Sequence, residues 1–321
     1  MTLARMAATL NLQANAERLM AYPQSERKRL ALRAIQERDE EGLWELMLGH
    51  LVLYGRAGAK VSPQTLRKYR AALKAYWAWA EARGVTLHRP MPDAGVAYIR
   101  ALEAQGFKRN TVGWNLAGCR LLYATLRWSG IESDPFRDVS PRRDPVPRHK
   151  KGKPYTTEQV DRLLEYADPQ EAVIILLGAH CGLRVGEMVT VQRSNVLLNE
   201  EPPVLRFTGK GDKPREVELS RRAEDAVRRW LKMTPSLGPW LLSYRTITSV
   251  EQHIQKLCTL ADVPYEKRGV HGLRRTAGSQ MYEQTQDLLE TRDFLGHASA
   301  VTTEVYVGYV KDRKKPKNRD W

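Results

Sequence analysis

His271 and Arg274 stand three apart in HGLRRT, a segment with helical character, so their side chains share one face and can converge on a single oxyanion. Downstream, Leu295-Gly296-His297 reads as a helix end followed by a turn, and a short further segment carries Tyr306 and Tyr309. Upstream, Gly182-Leu183-Arg184-Val185-Gly186-Glu187 puts a second arginine between two apolar helical runs. Thr208-Gly209-Lys210-Gly211-Asp212 then puts a lysine in a tight turn. Such groups suit attack on a phosphodiester, which develops charge on its non-bridging oxygens and needs fixed cationic donors rather than a base alone. A tyrosine hydroxyl is the natural nucleophile. Its unperturbed pKa near ~10 leaves little phenolate at neutral pH, so a neighbouring histidine or cation must assist its ionisation.

Taken singly, each piece has an ordinary explanation. Arg184 and Glu187 can be a plain salt bridge, Lys210 a solvated turn residue, His271 and His297 core histidines, and Tyr306 a packed aromatic. Together and in this order, over roughly residues 60 to 310, they resemble the tyrosine recombinase (phage integrase) family, and within it the compact Xer-like resolvases and integrases. The resemblance implies that Arg184 is the first catalytic arginine, Lys210 the turn lysine, and His271 with Arg274 the H-x-x-R pair. His297 is then the L-G-H histidine and Tyr306 the nucleophile nine residues later, with Glu187 supporting Arg184. Tyr309, three residues on, is the competing nucleophile.

The family likeness further implies site-specific recombination of double-stranded DNA through a 3′-phosphotyrosyl intermediate. One phosphate ester is exchanged for another, so no metal, cofactor or nucleotide energy source is required. Expected partners are a duplex recombination site, further copies of the chain (a dimer on one site, a tetramer in synapsis) and accessory proteins. Two other classes stay open at this point: a non-cleaving DNA-binding accessory or architectural relative, and a type IB topoisomerase-like nickase. The implied fold is mainly α with a small antiparallel β-sheet. Its two domains, a helical core-binding domain and an α+β catalytic domain, form a clamp on DNA.

The elements that must position these groups are legible in outline. The chain has 321 residues and a formal charge of +15, which allows two cores and fits a polyanionic partner. Cys119, Cys181 and Cys258 are widely spaced and form neither a disulfide framework nor a zinc pattern, which points to a reduced interior. No leader-like or membrane-length apolar run occurs, so a cytoplasmic protein without a membrane partner is expected.

Residues 1–58 read as a helical extension that belongs to, or flanks, the first domain. Residues 59–133 read as the core-binding domain: Ser62-Pro63 starts one helix, Asp93 a second and Asn110-Thr111 a third. Arg67, Lys68, Arg70 and Lys74 on the first, with Lys108, Arg109 and Arg120 around the third, are candidate DNA contacts. Residues 134–153 hold four prolines and seven lysines or arginines against three aspartates, which reads as a basic linker. Arg142, Arg143, Arg148, Lys150 and Lys151 are its candidate phosphate contacts.

The catalytic domain is expected over 154–321, beginning with the Thr156-x-x-Gln159 capping box. Leu205 and Phe207, then Val217 and Leu219, alternate with polar neighbours and predict a hairpin with Lys210 at its tip; Lys213 and Arg215 are assigned to the DNA backbone. The family pattern includes a C-terminal helix that docks into a neighbouring protomer. Here the tail KDRKKPKNRDW is short, basic and interrupted by Pro316, so that feature departs from the pattern.

Overall fold

The structure, a computed structural model, describes residues 3–209, 214–236 and 238–313. Within them the chain divides into two compact units, Met1–Pro145 and Val146–Trp321. Among the described residues no helix is long and apolar enough to cross a membrane, and the three cysteines are buried and unpaired.

The first unit is helical: α1 (Leu3–Ala21), α2 (Gln24–Gln36), α3 (Glu40–Tyr54), α4 (Pro63–Glu81), α5 (Ala94–Ala104) and α6 (Arg109–Trp128). Ser62 caps α4 by accepting the Thr65 N–H, and Pro63 enters the first turn where its missing N–H is harmless. Helices α4 and α6 approach closely because Gly118 lies against the methyl of Ala72, where any larger pair would collide. Their inner faces supply Leu73, Tyr76, Leu116, Leu122 and Tyr123 to one core, and the Tyr76 and Tyr123 hydroxyls share a hydrogen bond of 2.9 Å. That bond resolves the problem of two buried phenols.

Of the two placements open to residues 1–58 the structure has the first, since Leu19, Ala31, Leu43, Trp44 and Met47 lie in the same core as α4 and α6. The stretch expected to open the linker is also domain: Phe136 and Val139 are 0% and 5% exposed in that core. Arg127 pairs with Asp134, and the Pro135 carbonyl sits where Gly95 lacks a side chain. Arg120 donates to the carbonyls of Phe136 (3.2 Å), Arg137 (3.3 Å) and Val139 (2.8 Å).

The second unit contains α7 (Arg148–Lys151), α8 (Thr157–Tyr166), α9 (Pro169–Ala179), α10 (Val185–Met188), α11 (Arg221–Met233), α12 (Ile247–Leu260), α13 (Gly269–Thr285), α14 (Leu288–Leu295), α15 (Ala300–Thr303) and α16 (Val305–Arg313). Thr156 and Gln159 form the expected capping box on α8, and Asp168 with Glu171 forms a second on α9. Helix α9 is apolar nearly all round, and Val173, Ile174, Ile175 and Leu177 make it the spine of this core, packed by α11 and α13.

Between α10 and α11 run β1 (Val196–Leu197), β2 (Val204–Thr208) and β3 (Pro214–Glu218), antiparallel in that order. Phe207 faces Arg215 and Thr208 faces Pro214, which sets the register of the pair. Lys210 and Lys213, the catalytic and DNA-contact candidates on that turn, lie outside the described residues.

Candidate active site

The site is built on the C-terminus of α14. A helix ends with carbonyls that have no partner in the helix, and with the negative pole of its dipole. Leu295 is fully buried, and Gly296 turns the chain with φ 61°, a left-handed conformation that glycine takes without a Cβ penalty. The Gly296 N–H then returns to the Asp293 carbonyl and the His297 N–H to the Arg292 carbonyl, both at 3.0 Å. This is a Schellman closure, which satisfies residues 292 and 293 and leaves the carbonyls of 294, 295 and 296 open.

Three arginines from distant segments take them in turn. Arg215 of β3 donates to the Phe294 carbonyl at 2.7 Å, Arg274 of α13 to the Leu295 carbonyl at 2.6 Å, and Arg184, just before α10, to the Gly296 carbonyl at 3.4 Å. The Leu-Gly-His turn is therefore a clasp for guanidinium groups as well as the seat of a histidine. Arg274 also donates to the Gly182 carbonyl and is 1% exposed, while its buried Nε–H has no acceptor. Burial, then Arg184, press its pKa downward. A buried donor without an acceptor is an expensive arrangement unless a ligand completes it.

Glu187 answers these cations. Its carboxylate reaches back to the Arg184 backbone N–H at 2.8 Å, which fixes it as the third residue of α10. The same group pairs with Arg184 Nη1 at 2.7 Å and with Arg215 Nη1 at 3.2 Å, and it is only 7% exposed. Among the described residues two guanidinium groups thus share one carboxylate, while Arg274 beside them is bonded to carbonyls alone. The pocket keeps an excess of positive charge and has room in its hydrogen bonding for an anion.

The histidines are tuned by that charge. His297 Nδ1 lies 3.0 Å from the Thr303 hydroxyl, which fixes the ring. Burial first, then Arg274, Arg184 and Arg215, push its pKa down to about 4, with Glu187 opposing. His271 is pushed down to about 4 as well, by the protein around it and then by Arg275, Arg274, Arg184 and His297. The residue is itself exposed. Both imidazoles are thereby held neutral at pH 7.

Tyr306 on α16 is 2% exposed, with its ring 6.2 Å from that of His297 and inclined by 23°. The ring lies over Gly278 of α13, where an added Cβ would stand 2.5 Å from it. Burial pushes the phenol up to about 12, and Arg274, Arg275 and Arg184 pull the other way. Tyr309 is also buried and raised, yet of these cations only Arg275 acts on it. The field of the arginine pocket therefore singles out Tyr306.

The structure brings together Arg184, Glu187, Arg274, His271, His297 and Tyr306. It moves Arg215 from the expected DNA backbone contact into the pocket itself. The signal was available: in a strand residues two apart share a face, so Arg215 points inward with Val217. Gly278, Thr303 and the Gly182 carbonyl carried no chemical mark in the sequence, because their roles come from what packs on them.

Among the remaining basic candidates, Arg70 pairs with Glu40 and Glu41, and Lys74 with Glu40, on the α3 side. Lys68 instead lies 4.1 Å above the ring of Trp114 on α6. Arg109 donates to the Arg142 carbonyl at 3.3 Å, and Arg142 approaches Glu103 at 3.5 Å. Arg67, Lys108, Arg143, Arg148, Lys150 and Lys151 are exposed.

Comparison with known proteins matches residues 154–312 to the phage integrase family and residues 57–130 to the phage integrase N-terminal SAM-like domain. The chain is 31% identical over 211 residues to the tyrosine recombinase XerC of Erythrobacter litoralis, covering 61% of this chain and 67% of that protein. It is 28% identical over 276 residues to the XerC of Alcanivorax borkumensis, covering 77% and 84%. In fold it is similar to the XerH site-specific recombinase in a post-cleavage complex with palindromic difH substrate, with TM-score 0.67, 16% identity and 96% and 95% of the two chains covered. A lambda integrase tetramer bound to a Holliday junction gives TM-score 0.63 at 15% identity, covering 90% and 79%. The chain belongs to the phage integrase family, the tyrosine recombinases.

Proposed function

We propose that this tyrosine recombinase cuts and rejoins double-stranded DNA with Tyr306 as its nucleophile. The observation that carries the reading is the clasp of Arg184 and Arg274 on the adjoining carbonyls of Leu295 and Gly296, with an unfilled Arg274 Nε–H and an excess of positive charge beside one phenol. A phosphodiester supplies the anion that such a pocket lacks.

In the proposed step the Tyr306 oxygen forms a bond to phosphorus and the bond to the 5′ oxygen breaks. Arg184 and Arg274 hold the non-bridging oxygens, and His297 adds a donor. His271, neutral at pH 7, takes the phenolic proton. Lys210 on the hairpin turn gives a proton to the departing 5′ oxygen, a role that rests on its place in the family motif. Attack by a free 5′ hydroxyl on the phosphotyrosine reverses the chemistry on a partner strand. Reciprocal exchange of this kind calls for a dimer on each site and a tetramer on two duplexes, in the cytoplasm, with accessory proteins as further partners. The exposed basic side chains of α4, α6 and residues 142–151 supply the attachment to phosphate.

The test uses nicked duplexes tiled across the DNA that flanks the gene, mixed with wild type, Tyr306→Phe and Tyr309→Phe. A detergent-resistant protein–DNA adduct is expected from wild type and Tyr309→Phe and not from Tyr306→Phe, whose DNA binding persists. An adduct surviving in Tyr306→Phe and lost in Tyr309→Phe would transfer the role.

A further inference from the structure

We propose that Arg215 is a positioning residue that locks the β2–β3 hairpin, Glu187 and the end of α14 into one rigid unit around the scissile phosphate. The proposal rests on the reading that Tyr306 cleaves DNA, and deepens it by naming the strut that holds the catalytic donors in register.

A DNA backbone contact and a strut make different demands on an arginine. A contact keeps its guanidinium in water until the phosphate arrives, whereas a strut spends its donors on protein acceptors. Arg215 is 12% exposed, bonded to Glu187 Oε2 at 3.2 Å and to the Phe294 carbonyl at 2.7 Å. Its guanidinium carbon stands 5.5 Å from the centre of the Phe207 ring, the residue opposite it across the hairpin. On the other side Gly296 admits it, since an added Cβ there would stand 2.9 Å from Arg215 Nε. Most of the group is thus covered by protein.

Those contacts join three pieces of the site that are far apart in the chain. Through Glu187, Arg215 is coupled to Arg184, because the two arginines share that carboxylate. Through Phe294 it is coupled to the turn whose next two carbonyls hold Arg274 and Arg184 and whose following residue is His297. Through its own backbone it anchors β3, the strand that leads out of the Lys210 turn. Displacing it frees the Glu187 carboxylate to swing onto Arg184 alone and loosens the base of the hairpin. A shift of about 1 Å in such donors is enough to cost roughly a hundredfold in rate.

The experiment compares wild type, Arg215→Gln and Arg215→Lys on the cleavable nicked duplex, at saturating DNA and across pH, with affinity measured over a range of salt. Arg215→Gln is expected to form adduct about a hundredfold more slowly, with affinity and the slope of affinity against salt unchanged. It removes one of the cations that depress His297, beside Arg274 and Arg184 and against Glu187, so the His297 imidazole, followed by NMR, protonates at a higher pH than in wild type. Arg215→Lys keeps the charge but cannot span Glu187 and Phe294 together. It is expected to keep the wild-type His297 titration and remain slow.

Near-normal cleavage at saturating DNA together with a salt slope lowered by about one unit would make Arg215 a phosphate contact and overturn the proposal. A wild-type cleavage rate in Arg215→Gln would overturn it as well. If the glutamine variant does not fold, the lysine variant decides: wild-type rate refutes the strut and slow cleavage at full affinity supports it. Lack of adduct from wild type, or its survival in Tyr306→Phe, would instead strike the underlying reading and leave Arg215 aside.

Discussion

The protein carries two sets of cations and treats them in opposite ways. On α4, Arg70 and Lys74 have side chains 36% and 56% exposed and pair at the surface with Glu40 and Glu41 at the acidic start of α3. In the second unit, Arg274 is 1% exposed and the Arg215 and Arg184 side chains 12% and 31%. The exposed set is screened by salt and can adjust to whatever backbone arrives. The buried set is desolvated and bolted to carbonyls, so its donors need little reorganisation as charge develops. Attachment asks for charge density; chemistry asks for fixed geometry.

The contrast is broken most forcefully at Arg274. Arg274→Ala is expected to abolish adduct formation, by about a thousandfold or more, and to lower the melting temperature by stranding the Gly182 and Leu295 carbonyls in the interior. Cleavage and calorimetry on one preparation check both. If Arg274→Ala cleaves well, the buried set is structural only.

Next in size is Arg184→Lys, expected to lose about a hundredfold in cleavage rate with DNA affinity nearly intact, because an ammonium cannot serve Glu187 and a phosphate with one planar fork. A large drop in affinity instead would place Arg184 among the attaching charges.

Acidification probes both units. His50 of α3 is held down to about 4 by burial and then by Arg127, and His271 and His297 are held down to about 4 as described. The unfolded chain, with histidines near their ordinary pKa of ~6.5, binds more protons than the folded one, so stability is full above that value and is lost as pH falls toward 4. Melting temperature measured between pH 7 and pH 4 should fall in wild type and fall less steeply in His50→Gln and His297→Gln.

The smallest expected effects belong to the exposed set. Lys68→Gln should weaken DNA binding by less than about tenfold and lower the salt slope by about one, without touching cleavage at saturation. Lys74→Gln, whose cation is drawn toward Glu40, should change the slope less. Equal slopes for the two variants would erase the division drawn within α4.

What could be read from the sequence was local chemistry. Ser62-Pro63, Thr156-x-x-Gln159 and Leu295-Gly296 announce helix ends because caps act within a few residues, and the structure has them there. The order of Arg184, His271, Arg274, His297 and Tyr306 was visible as a motif. Its geometric basis was not: the arginine-to-carbonyl bonds of the clasp span 79, 21 and 112 residues, and no short window contains them. Residues 134–139 misled for a related reason, since proline and charge correctly deny them a helix while Phe136 and Val139 still decide where they pack. Arg215 was legible by strand alternation, which here outranks its charge.

The hollow over Gly278 has a consequence for the free chain. With its ring filling that space, Tyr306 is seated against α13, and any side chain at 278 would evict it, since an added Cβ would stand 2.5 Å from the ring.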